Sequence, residues 1–187
     1  MVLKDISLEV SQGETVVIRG ENGCGKSTLV KILSGLYDDY QGSILINGVE
    51  LKTLKVREWR NCLIVVPQDA PLFDESVSEN INLPSKEYDK QKIDEIIKAM
   101  ELTEIANEEV TIGELGERIS GGQRQRICLG WLYVRDALLI ILDEPTAYLD
   151  REAKCKLLKY LTKNTTTKII ITHDEEVLSI ADKVYNF

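Results

Sequence analysis

One stretch limits the folds open to this chain: Gly20-Glu21-Asn22-Gly23-Cys24-Gly25-Lys26-Ser27-Thr28. The apolar run Thr15-Val16-Val17-Ile18 precedes it, and Leu29-Val30-Lys31-Ile32-Leu33 follows with helical spacing. Strand, glycine-rich loop and helix, with the spacing G-x-x-x-x-G-K-S, read as a phosphate-binding loop. Glycines let successive backbone N–H groups converge on phosphate oxygens, and the helix N-terminus adds its positive dipole end. Lys26 can reach the β- and γ-phosphates of a nucleoside triphosphate, and Ser27 offers a hydroxyl to Mg²⁺. The expected nucleotide contacts are therefore Asn22, Gly23, Cys24, Gly25, Lys26, Ser27 and Thr28. A turn that merely joins strand to helix is the alternative, and it gives no reason for the Gly25-Lys26-Ser27-Thr28 ending.

The rest of the chain alternates strands and helices around that loop. Asp5–Val10 alternates polar and apolar residues and is expected to be a half-buried strand. Ser43–Ile46, Asn47-Gly48 and Val49–Leu51 read as a hairpin, because Asn-Gly suits a tight turn between strands. Buried strands are expected at 62–66, 138–142 and 168–172, with a last strand beginning at Val184. Helices are expected from Ser120 through Trp131, around 153–161, and briefly after His173. Between Pro71 and Arg118 the chain turns polar and loop-rich, with one amphipathic helix carried by Ile93, Ile96, Ile97 and Met100. The expected architecture is an α/β fold whose mainly parallel sheet is covered by helices on both faces. A P-loop core spans 1–70 and 132–187, with a small antiparallel part, and 71–131 forms an inserted helical subdomain. Ligands of such sheets bind at the carboxyl ends of the strands. Gly20–Thr28, Gln68, Asp143-Glu144 and His173 all follow predicted strands directly.

Composition narrows the partners. A net charge of −8 supplies no basic excess to release counterions from a nucleic acid, so no nucleic-acid partner is expected. No apolar run approaches the roughly 20 residues that span a bilayer, and the start of the chain is charged where a signal peptide is apolar. Cys24, Cys62, Cys128 and Cys155 are scattered without a C-x-x-C pair. Together these features suggest a soluble, reduced, cytoplasmic domain.

Three constellations carry chemistry. Two acids after five apolar residues are expensive to place unless something uses them. Asp143 would help hold Mg²⁺ through Ser27 and water, and Glu144 would polarise the attacking water as general base. Acids at an exposed strand end or helix cap are the plainer alternative. His173 is the only histidine, and its place after a buried strand favours a γ-phosphate contact over a satisfied core residue. Ser120-Gly121-Gly122-Gln123 has the form of a capping box. Its two glycines each weaken the helix by roughly 1 kcal/mol against Ala. Both are explained if another group, such as a phosphate, must approach the backbone closely.

Taken in order, Gly20–Thr28, Gln68, Ile119–Gln123, Asp143-Glu144 and His173 resemble the nucleotide-binding domain of ABC transporter ATPases. The resemblance implies that Gln68 belongs to the Q-loop and contributes to Mg²⁺ binding and catalysis. Ser120, Gly121, Gly122 and Gln123 would form the signature, and His173 the switch histidine. Ala147-Tyr148-Leu149-Asp150 resembles the D-loop, with Tyr where a small residue is usual. It implies a head-to-tail dimer, homomeric or heteromeric, with ATP between one protomer's P-loop and the other's Ser120 and Gly122. ATP hydrolysis would then move attached transmembrane domains at the inner face of the cell membrane. Val66–Phe73 and Thr111–Arg118, the latter with Glu114, look like the exporter surfaces that face those domains. No residue matches the family's adenine-stacking aromatic, and the family's last strands lie beyond Phe187, so a trimmed domain is expected. A soluble ABC ATPase and a non-hydrolysing nucleotide sensor are the rival readings.

Overall fold

The computed structural model describes residues 3–69, 71–106 and 110–187. Val2 and Ala70, parts of two family-like stretches, lie outside the described residues, as does 107–109 of the expected insertion. The chain divides into two compact units.

The first unit comprises Met1–Val65, Ala137–Ile141 and Thr166–Phe187. It holds most of a five-stranded sheet in the order β4-β5-β6-β1-β7, the last residues of β4 and β5 being counted in the second unit. The strands are β1 (Thr15–Arg19), β4 (Leu63–Val66), β5 (Leu139–Asp143), β6 (Thr167–Ile171) and β7 (Lys183–Asn186). β1 pairs in parallel with β6, Ile18 opposite Ile171, and with β7, Val17 opposite Val184. Val16, Val17 and Ile18 are all fully buried, so both faces of β1 are covered, as its unbroken apolar run requires. Lys168 is the exception in β6: it is 1% exposed, and its ammonium donates to the Thr166 carbonyl at 2.8 Å. Burial pushes the pKa of that ammonium down.

One face of the sheet carries α1 (Lys26–Leu33) and α2 (Val56–Asn61). Leu29, Val30 and Leu33 join Val16, Ile18, Ile141 and Ile171 in a single core with Trp59. The Trp59 indole N–H donates to the Leu33 carbonyl at 2.7 Å, tying α2 to the end of α1. The hairpin forms as expected: β2 (Leu45–Ile46) pairs antiparallel with β3 (Val49–Glu50). Asn47 and Gly48 turn it at φ 50° and 81°, the left-handed pair that such a turn needs.

The expected strand at Asp5–Val10 is not formed. The alternation does put Leu8 and Val10 against the core. However, the Glu9 amide and carbonyl bond to the Tyr185 hydroxyl, both at 3.1 Å, rather than to a neighbouring strand.

The second unit comprises Val66–Asp136 and Leu142–Thr165, and residues 71–131 fall within it. It holds α3 (Val77–Asn82), α4 (Lys90–Ala99), α5 (Gly121–Val134) and α6 (Arg151–Lys163). α3 went unread in the sequence, although Ser76 and Glu79 form a complete capping box at its start. Helix α4 buries Ile93, Ile96 and Ile97 at the expected spacing. α5 packs closely at Gly130, where a Cβ would stand 3.2 Å from Ile96 and 3.3 Å from Ile81. The Trp131 indole donates to the Asn80 carbonyl at 2.8 Å, and the Tyr160 hydroxyl to the Leu132 carbonyl at 2.8 Å. Asn80 is fully buried; its amide accepts from the Phe73 N–H and donates to the Phe73 and Ser76 carbonyls. Those bonds shape the loop that presents Phe73 to solvent. The last helix, α7 (Glu175–Leu178), belongs to the first unit.

Candidate active site

The phosphate-binding loop leaves β1 at Gly20 and enters α1 at Lys26. Gly25 supplies the left-handed bend between them at φ 109°, a conformation closed to residues with a Cβ. Among the described α-helices, α1 alone begins with neither a side-chain cap nor an acidic residue in its first turn. Ser76, Asp89, Ser120, Asp150 and Asp174 cap α3 to α7, and Glu58 lies in the first turn of α2. The start of α1 therefore keeps its positive end and its donors for something outside the chain. The Lys26 ammonium lies over the same loop. It donates to the Gly20 carbonyl and to the Glu21 carbonyl at 2.9 Å, and sits 3.8 Å from the Cys24 sulfur. A polyanion fits this cradle: amides, a helix dipole and a cation all face one short loop. Ser27 is exposed at the second position of α1.

β6 runs beside β1, and the Thr172 amide donates to the Ile18 carbonyl at 3.2 Å. The loop and His173 thus leave the sheet from the carboxyl ends of adjacent parallel strands, where ligands of such sheets bind. His173 is exposed, between Thr172 and the α7 cap Asp174.

In the second unit, Asp143 ends β5 and is 7% exposed. Glu144 follows at φ 47°, in the left-handed region that a residue with a long side chain seldom occupies. Such an outlier persists only when its surroundings hold it, and it clusters at functional sites. Gln68 is exposed, two residues beyond the end of β4. Ser27, Gln68 and Asp143 offer a hydroxyl, an amide and a carboxylate, the hard oxygen donors that suit Mg²⁺.

Ser120 caps α5 with the full capping box: Gln123 N donates to Ser120 Oγ at 3.2 Å, and Ser120 N to Gln123 Oε1 at 2.8 Å. The glycines have a partner inside this chain. A Cβ on Gly122 would stand 3.0 Å from the Tyr148 carbonyl, and one on Gly121 would stand 3.3 Å from the Tyr148 ring. The close approach that the sequence assigned to a phosphate is thus made here by Tyr148, the departure from the usual small residue. Two further residues escaped the sequence reading. Gln125 Nε2 donates to the Pro145 carbonyl at 3.2 Å, and Arg126 pairs with Asp150. The sequence carries no signal for the first, because Gln125 stands in the polar run Gln123-Arg124-Gln125-Arg126.

The ABC transporter family model matches residues 3–147. The chain belongs to that family. It is 34% identical over 188 residues to the colicin V secretion/processing ATP-binding protein of Escherichia coli, covering 98% of this chain and 27% of that protein. It is 37% identical over 191 residues to the ATP-dependent lipid A-core flippase of Sodalis glossinidius, covering 97% of this chain and 33% of that protein. A solved structure of a bacterial Atm1-family ABC exporter with ATP bound matches with a TM-score of 0.91 and 27% identity. That match covers 100% of this chain and 34% of the exporter chain. The chain spans about a third of the length of these relatives. The expected P-loop fold is met, and the relatives named here are a secretion protein, a flippase and an exporter. No helix among the described residues is long and apolar enough to cross a membrane.

Proposed function

We propose that this chain binds ATP with Mg²⁺ and hydrolyses it to ADP and phosphate as one half of a head-to-tail pair, powering export. The observation that carries this reading is the uncapped start of α1, with the Lys26 ammonium over the same loop. Asn22, Gly23, Cys24, Gly25 and Thr28 line the phosphates, and Lys26 binds the β- and γ-phosphoryl oxygens. Ser27, Gln68 and Asp143 would hold Mg²⁺, which when bound neutralises charge on the β- and γ-phosphates. Glu144 takes a proton from the attacking water, and Gln68 and His173 orient that water and the γ-phosphate. Ser120, Gly121, Gly122 and Gln123 serve the ATP of the partner copy. The surfaces around Gln68 and Glu114 face membrane-spanning domains at the cytoplasmic side of a membrane, in keeping with the flippase and secretion relatives.

The test is phosphate release with Mg²⁺ or with EDTA, across rising protein concentrations. The expected rate requires Mg²⁺ and rises more steeply than linearly with protein, because each site needs two copies. No Mg²⁺-dependent release at high concentration would refute hydrolysis, and a strictly linear rise would refute the shared site.

Cys24 offers an independent check, because its sulfur lies 3.8 Å from the Lys26 ammonium inside the loop. Alkylation there by N-ethylmaleimide is expected to block ATP binding, and saturating ATP to slow the alkylation. A fully alkylated loop that binds ATP unchanged would place the phosphates elsewhere.

A further inference from the structure

The root of the phosphate-binding loop is gripped from both sides by one segment of the first unit. That segment leaves β6 at Thr172, whose amide donates to the Ile18 carbonyl at 3.2 Å. It passes through His173, α7 and β7 and returns at Phe187, whose amide donates to the Arg19 carbonyl at 2.8 Å. Ile18 and Arg19 are consecutive, so the end of β1 is held by β6 on one side and by the end of β7 on the other.

Gly20 comes next, and backbone conformation does not explain its glycine. Gly23 and Gly25 take the left-handed values φ 85° and 109°, whereas Gly20 is not among the residues with positive φ. Room explains it instead. A Cβ on Gly20 would stand 2.6 Å from the Phe187 carbonyl oxygen, 3.1 Å from Phe187 Cβ and 3.0 Å from Cys24 Sγ. A backbone oxygen cannot swing aside as a side-chain tip can, so only glycine lets the two segments lie this close. The Phe187 side chain packs against the core of the first unit and so fixes where that carbonyl stands. Gly20 in turn accepts the Lys26 ammonium on its own carbonyl. At the tip of the loop, by contrast, a Cβ on Gly23 would meet nothing within 4 Å.

We infer that Phe187 is a positioning residue for the phosphate-binding loop: set between the core and Gly20, it holds the loop root in the shape that receives a triphosphate. This role rests on the triphosphate reading above and concerns binding alone. A loop already held in its bound shape has less freedom to lose on binding. Fixing the backbone of one further residue is worth about 5- to 30-fold in affinity, and that is the loss expected when the ring is removed. Because the wedge acts on the loop, any ligand with three linked phosphates should feel it equally.

The probes are ATP and inorganic tripolyphosphate, each titrated by calorimetry. Phe187→Ala is expected to weaken both by the same factor, about 5- to 30-fold, and Phe187→Leu to recover most of the loss. Phe187→Val, the milder truncation, should fall between them. Alkylation by N-ethylmaleimide without nucleotide, followed at each cysteine by mass spectrometry, reads the loop directly. Cys24 is half-buried and lies against Gly20, so it should react faster in Phe187→Ala. Cys62, half-buried in the same unit, and Cys128, buried in α5, should keep their rates. Unchanged affinity for both ligands in Phe187→Ala and Phe187→Val would overturn the role. So would a loss for ATP with none for tripolyphosphate, which would place the ring on the nucleoside instead. Cys24 and Cys62 reacting faster together would reduce Phe187 to a general support of the fold. An intact chain that binds neither ligand would overturn the triphosphate reading itself, while the Cys24 rate would still report whether Phe187 holds the loop.

Discussion

Glu144→Gln is expected to keep ATP binding and to lower turnover by about 10²- to 10⁴-fold, the range a positioned general base contributes. Gln has nearly the same shape and accepts the same backbone conformation, so φ 47° is no harder to hold than with Glu. What is lost is the proton-accepting carboxylate. Equilibrium binding of ATP and single-turnover hydrolysis separate the two effects, and a variant that turns over at the original rate would remove Glu144 from the chemistry. The backbone outlier supplies a second arm. A left-handed conformation costs an L-residue about 1–2 kcal/mol, and glycine is exempt. Against that, Gly makes the unfolded chain looser by about 0.4–1 kcal/mol. Glu144→Gly is therefore expected to be as stable as the parent or up to about 1.6 kcal/mol more stable in urea denaturation, while losing turnover. On the proposed role of Glu144, the strain at this position is a stability cost accepted for function. A loss of stability in Glu144→Gly would show instead that the side chain holds the fold.

The parts of this chain that were legible in the sequence are those fixed by neighbours. The runs at 15–18, 139–142 and 169–171 have to be strands buried on both faces, because no alternation leaves a side for water. Asn47-Gly48 specifies its own turn. Asp5–Val10 misleads for the same reason: alternation reports burial on one face but not a pairing partner, and here the Tyr185 hydroxyl takes the place of a strand. α3 is six residues long and too short for a helical period, so its only signal is the capping box at Ser76 and Glu79. Of the proposed site residues, Asp143, Glu144 and His173 could be picked out because each lies at or just beyond the end of a strand, and Lys26 because it closes the glycine-rich loop between β1 and α1. The ties from Gln125 and Arg126 could not. They join residues 20 and 24 positions apart, and only the fold decides that those positions meet. Tyr148 falls between the two cases. Its size at that position was visible, and the reason for glycines opposite it appears only in the packing against Gly121 and Gly122.

Lys26→Ala is expected to weaken ATP binding by roughly 30- to 150-fold while leaving the fold intact. The magnitude follows from what the ammonium exchanges. It bonds the neutral carbonyls of Gly20 and Glu21, so phosphate oxygens have to exchange with those acceptors. A bond to a charged acceptor is worth about 1.5–3 kcal/mol and a neutral one about 0.5–1.5, a net gain of about 1–1.5 for each bond. Two phosphate contacts then amount to about 2–3 kcal/mol, and each 1.4 kcal/mol is a factor of ten. The residual affinity belongs to the loop amides and the start of α1, which the substitution leaves untouched. Ala is a good helix former, and Lys26 is only half-buried at the first position of α1, so the melting temperature should barely move. Titration with a fluorescent ATP analogue gives the affinity. Binding within twofold of the parent would mean that the ammonium stays on its two carbonyls and that the triphosphate is held by the backbone alone.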